Sequence, residues 1–177
     1  MKKILSCVLA LALLTGMISV INLINIPTSA EADNIVVNGD FEQNSLDNWI
    51  PTATGYAVSN ADKHGGSYSL YVDSTSDYRK IYQILTVKPY TNYNFTFWFK
   101  GTTSPTSSNN WSITATKDGF EAGILKGAFA AARTYSNWTQ KSVTMFNSGN
   151  NTILYLYFQF RTGAQMYIDD ISVTETT

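Results

Sequence analysis

Four side chains spaced two apart, Tyr155, Tyr157, Gln159 and Arg161, offer the first chemistry in this chain. In an extended strand they share one face, while Leu154, Leu156, Phe158 and Phe160 share the other. The second set is oily and predicts a core. The first sets two phenol rings in line with an amide and a guanidinium. Such a row suits a neutral, hydroxyl-rich ligand, because flat rings cover C–H faces and planar polar groups bond hydroxyls. Along Tyr93–Lys100 the same alternation turns Tyr93, Phe95, Phe97 and Phe99 one way and leaves Trp98 among Asn94, Thr96 and Lys100. Trp98 is therefore expected beside Tyr155, Tyr157, Gln159 and Arg161 on one sheet face. Tyr78 or Tyr82 would form a wall of that face, and Gln83, which shares parity with Leu85 and Val87, is a further candidate. The competing reading puts the tyrosines under a loop, since aromatic residues are favoured in strands for packing alone.

Catalysis finds little material. The one histidine, His64, sits in the turn Asp62–Gly66 away from any serine or cysteine motif, which argues against a triad or a histidine-based zinc site. A glycosidase needs only two carboxylates. Asp118 and Glu121 lie in an unpatterned loop, however, and neighbours Asp169 and Asp170 point to opposite faces of a strand. No enzyme activity is expected. Asp169 shares parity with Ile171 and Val173, so it is expected to face inward, where a carboxylate must be paired, hydrogen-bonded or metal-bound. If the first and last strands lie side by side, Glu42 and Asp169 would converge on one hard cation. Turn carbonyls near Asp40 and along 63–67, Gly66 among them, would complete a set of oxygen ligands of the kind calcium accepts. The alternative is that Asp169 bonds only backbone amides.

The elements that must position these groups are strands. Nine short runs alternate or are β-branched: 34–38, 55–59, 67–72, 80–87, 93–100, 111–116, 138–146, 153–161 and 166–173. Turn signals at Asn38-Gly39, Gly65-Gly66, Lys88-Pro89 and 148–150 separate them. Only Phe120–Arg133, rich in alanine, permits a helical turn or two, and Gly101–Asn110 reads as a polar loop. One-sided patterning over nine strands predicts an all-β, two-sheet sandwich or jelly roll.

Residues 1–32 lie outside that pattern. Lys2 and Lys3, an apolar run over 4–26 and small residues at Thr28–Ala32 have the layout of a secretory signal peptide, with an uncleaved N-terminal anchor as the alternative. Cleavage after Ala32 removes the only cysteine and leaves a 145-residue domain, 33–177, with 10 basic and 12 acidic residues. A secreted chain without disulfides relies on packing, hydrogen bonds or a metal. No basic patch offers itself to nucleic acid or anionic lipid.

The ordered motifs carry a resemblance. Asn34-Ile-Val-Val-Asn-Gly-Asp-Phe-Glu42 followed by Trp49, then His64-Gly-Gly-Ser-Tyr-Ser-Leu70, Gln83, Pro89, the Tyr93–Lys100 strand, Trp138 and Tyr167-Ile-Asp-Asp170 together resemble carbohydrate-binding modules of the family 4/9/22 type, in the galactose-binding-like superfamily. The likeness spans the mature chain except Gly101–Asn137, so Trp111 and Arg133 gain no role from it. It implies a jelly-roll sandwich, a structural calcium ion near the paired termini, and a concave sheet face that binds polysaccharide. Trp49 and Trp138 fall at positions that read as packing. The expectation is a secreted, non-catalytic module for a β-glucan, xylan or related glycan, acting beside separately encoded glycoside hydrolases. The alternative is an exported structural or adhesion protein that binds a protein partner through the same sandwich.

Overall fold

Ten strands form two antiparallel five-stranded sheets in this computed structural model, which describes residues 32–74, 79–101, 111–116, 125–129, 136–160, 162–163 and 165–176. The side chains of 111–116, 125–129 and 143–145 lie outside that description. The chain divides between Glu31 and Ala32 into two units, and the second carries every described residue. The expected signal peptide, 1–32, thus falls outside the described residues except for Ala32.

Sheet I runs β1 (Ile50–Pro51), β4 (Arg79–Thr86), β9 (Ile153–Phe160), β6 (Trp111–Thr116) and β7 (Leu125–Phe129). Sheet II runs β2 (Tyr56–Ser59), β3 (Ser69–Asp73), β10 (Gln165–Glu175), β5 (Asn92–Gly101) and β8 (Thr139–Asn147). Two expectations need correction. Leu125–Phe129, inside the stretch read as permitting a helix, pairs with β6 as a strand, because sheet pairing outweighs the weak local preference of an Ala-rich run. The first expected strand, 34–38, is not one either: it makes only an isolated bridge, Asn34 to Thr174, beside β10.

The core lies between the inner faces. Phe95, Phe97 and Phe99 of sheet II meet Leu154, Leu156, Phe158 and Phe160 of sheet I, all fully buried. Phe97 meets Phe158 edge-on at 5.6 Å, and Trp49 meets Phe158 at 5.9 Å. Trp49 also donates its indole N–H to Asn38 O at 3.0 Å, which confirms it as a packing residue. These edge contacts add specificity to what is chiefly area burial.

The N-terminal segment ties the two sheets together along one edge. The Asn34 amide bonds Ile171 O and Val173 N of β10. Three residues later, the Gln83 carboxamide accepts from Val37 N and donates to Val37 O, both at 2.8 Å. Gly39 must be glycine, since a Cβ there would lie 2.2 Å from Ile171 O. The close approach lets Ile171 N reach Gly39 O at 2.9 Å.

Candidate functional site

Strand parity in β4 and β9 holds as read, and register joins the two outward sets. Tyr82 pairs with Tyr157, Lys80 with Gln159 and Ile84 with Tyr155, so all six stand on the outer face of sheet I. Tyr82 lies 4.7 Å from Tyr157 at 30° and 5.9 Å from Tyr155 at 42°, while Tyr155 and Tyr157 stack at 6.3 Å. Ile50 of β1 pairs with Tyr82 from the other side. Across the sheet, the backbone of Ser112, Thr114 and Thr116 stands in register with Gln159, Tyr157 and Tyr155.

The three rings are not equivalent. Tyr82, Tyr155 and Gln159 are half-buried, whereas Tyr157 is only 3% exposed although its strand turns it outward. Tyr157 therefore braces its neighbours, and Tyr82 and Tyr155 carry the accessible aromatic surface. Arg161 and Tyr78 lie outside the described residues, as do Arg133 and the side chain of Trp111.

Two expected members of this face belong elsewhere. Trp98 is on β5, in the other sheet, so it cannot share a surface with Tyr155. Its ring is stacked under His64 at 3.7 Å and 14°, with Trp138 edge-on to His64 at 5.8 Å. Alternation along a strand says which residues share a side; it does not say which sheet the strand joins. Gln83 is also displaced: it is 2% exposed, faces inward, and spends its carboxamide on the Val37 backbone. Its parity with Leu85 and Val87 already carried that signal.

The expected cation ligands gather around the turn at 64–68. Glu42 Oε1 accepts from the N–H groups of Ser67 and Tyr68, each at 2.8 Å. Gly66, at φ +54°, packs so close to Glu42 that a Cβ would lie 2.4 Å from its carboxyl carbon. Asp169 Oδ2 accepts from His64 N at 2.9 Å and Gly65 N at 3.3 Å, and Oδ1 accepts from Asp170 N at 2.8 Å. Asp40 is more distant in role: it accepts from Glu42 N at 3.3 Å and lines a hollow of about 310 Å³ with Asp170 and Asn38.

Asp169 is buried, at 1% exposure, but not by facing the core. It pairs with Trp98 on the outer side of sheet II, and a one-residue bulge between Asp169 and Ser172 then restores Ile171 and Val173 to the core. Asp170, at φ +48°, absorbs the bend. The 60–68 loop seals Asp169 from outside. On that loop Asp62 takes Lys100 Nζ at 2.5 Å and the Trp138 N–H at 2.9 Å, and His64 Nδ1 meets Asp170 Oδ2 at 2.6 Å.

Burial pushes the Asp169 carboxyl up to about 6, and the nearby Asp170 charge adds to the rise; the amides of His64, Gly65 and Asp170 counter only part of it. The donor chemistry suits a hard cation, which would relieve the cost of that buried charge. Among the described residues no three acidic or histidine side chains form a metal cluster, so backbone carbonyls and water would have to complete the shell.

By class this is a two-sheet β-sandwich with a row of tyrosines on one outer sheet face. The chain belongs to the CBM_4_9 family, Carbohydrate binding domain, whose model matches residues 33–165. No curated protein sequence matches it. Among solved structures it resembles a family 16 carbohydrate-binding module at 20% identity and a TM-score of 0.65, covering 80% of this chain and 100% of that one. It also resembles the CBM22-1 xylan-binding domain of Paenibacillus barcinonensis Xyn10C, at 16% identity and 0.61, covering 82% and 96%. A third likeness is TmCBM61 in complex with β-1,4-galactotriose, at 16% identity and 0.57, covering 82% and 100%. At these identities the likeness is one of fold.

Proposed function

We propose that this chain is an exported, non-catalytic module that binds a neutral polysaccharide, a β-glucan, xylan or related glycan, along the outer face of sheet I. The observation that carries the reading is the array of Tyr82, Tyr155 and Tyr157, with Gln159 continuing the same face. Tyr82 and Tyr155, 5.9 Å apart and braced by the buried Tyr157, form an apolar surface for sugar rings, and the amide beside them suits hydroxyls. Membership in a carbohydrate-binding family supports this, as do neighbours described as xylan-binding and as holding a β-1,4-linked trisaccharide. Separately encoded glycoside hydrolases are the partners such a module would serve.

A glycan array probed with the mature chain tests the reading. Signal is expected on β-linked plant or cell-wall polysaccharides and absent from sulfated or uronate-rich ones. An array silent on every polysaccharide sinks it. Export has its own test. Secreted material should begin at Glu31 or Asp33 on N-terminal sequencing, and a cytoplasmic protein retaining Met1 would contradict it.

The second part of the proposal is a structural calcium ion held by Asp169 and Glu42, with carbonyls of the turn that contains Gly66 and from the neighbourhood of Asp40. Its work would be to neutralise buried carboxylate charge and to pin the 64–68 turn between the N-terminal segment and β10.

A further inference from the structure

The tyrosine face does not end at Tyr82. It runs toward the sheet edge into exposed aliphatic surface, with Ile50 and Ile84 at 41% and 46% exposure. Register puts Ile50 in the row of Tyr82 and Tyr157, and Ile84 in the row of Tyr155. Behind them, where β1 begins beside β4, lies a hollow of about 240 Å³ lined by Val37, Asn48, Ile50, Gln83 and Ile84.

The chemistry of that lining is specific. None of the five residues carries a charge, so nothing there would pair with a carboxylate, sulfate or phosphate. Three are aliphatic, and the Gln83 carboxamide is already committed at both ends to the backbone of Val37. Asn48, exposed and held at φ +70°, is the one lining amide on the exposed rim. A bare sugar hydroxyl turned into this corner would exchange water for methyl groups. A small neutral group with a methyl end and one acceptor oxygen suits the lining instead, with its methyl against Ile50 and Ile84 and its oxygen toward Asn48.

We propose that this corner is a subsite for an O-acetyl group on the polysaccharide, so that the module prefers acetylated over bare chains. The inference rests on the polysaccharide reading above and narrows its ligand class.

The test compares acetylated xylan with the same xylan after mild alkaline de-esterification, by calorimetry or affinity electrophoresis. The parent protein should favour the acetylated form by about fourfold for each methyl group taken from water. Ile84→Thr, which keeps a β-branched strand residue at an exposed position, should bring the ratio of the two affinities toward one, and Ile50→Thr should do the same. The ratio is the readout, so a general weakening of the face cannot imitate the effect. Equal affinity of the parent for both forms overturns the subsite while leaving the tyrosine face in place. So does a preference that survives both substitutions. Binding to neither form overturns the subsite, and the polysaccharide reading falls with it only when the glycan array is silent as well.

Discussion

Replacing Tyr82 or Tyr155 with alanine is expected to weaken polysaccharide binding by about 1–3 kcal/mol each, roughly 5- to 150-fold in Kd, by analogy with bases stacked on aromatic platforms. These two rings carry the accessible surface of the array, so their loss removes stacking area directly. Their centroids are 5.9 Å apart, so the double variant should lose less than the sum. Tyr157→Ala should behave differently. That ring is nearly buried and packs against the other two, and its removal should lower the melting temperature as well as the affinity. Trp98→Ala is the control: it strips the ring under His64 on the other sheet, and should cost stability without changing affinity. Because the ligand is neutral, Kd should hold steady between about 0.05 and 0.5 M salt, unlike binding driven by exposed charge. Affinity electrophoresis with circular dichroism on each variant reads all of this. Binding lost in Trp98→Ala and kept in Tyr82→Ala would move the site to sheet II.

The second large effect concerns Asp169. In cation-free protein its folded-state value of about 6 stands above the ordinary 3.8. Between those values the native state holds a proton that the unfolded chain has released. The contribution to stability is therefore fully present below about pH 4 and is lost as pH rises through 6. The loss amounts to roughly 3 kcal/mol, at about 1.36 kcal/mol per unit. Asp62 works in the opposite sense. Burial alone would raise it, but the bonds from Lys100 and Trp138 together hold it below 3.8, so its effect falls under pH 4, outside this window. Urea melts in chelator should thus show stability falling from pH 4 to pH 7. Calcium favours the ionised carboxylate and should flatten or reverse that slope, with a gain of about 2.7 kcal/mol at a hundred times its Kd. Asp169→Asn should abolish both the slope and the calcium response. A flat profile in chelator would show that the three amides satisfy the carboxylate fully, and an unchanged melt on adding calcium would remove the cation.

Much of this molecule is written locally. A period of two in 153–160 and 93–100 dictates an oily and a polar side for each strand, and both sides are as the residues require. The row Tyr155, Tyr157, Gln159 and the inward set Phe95, Phe97, Phe99 follow from pleat geometry alone. The same rule in β4 places Tyr82 and Ile84 together and turns Gln83 inward. Asn38-Gly39 marks a turn because a Cβ at the second position has no room.

Tertiary structure decided the rest, and for one physical reason: pairing partners lie far apart in sequence and leave no trace in local alternation. Trp98 and Tyr155 both stand on polar strand faces, yet β5 and β9 join different sheets, so those faces look outward in opposite directions. Asp169 shares sequence parity with Ile171, but a one-residue bulge, fixed by pairing with β5, breaks the count between them and leaves the carboxylate outside the core. It is buried all the same, because a loop about a hundred residues earlier in the chain closes over it. Tyr157 alternates as an exposed residue and is almost wholly covered. Alternation along a strand decides which side a residue takes; only the packed sandwich decides what lies on that side.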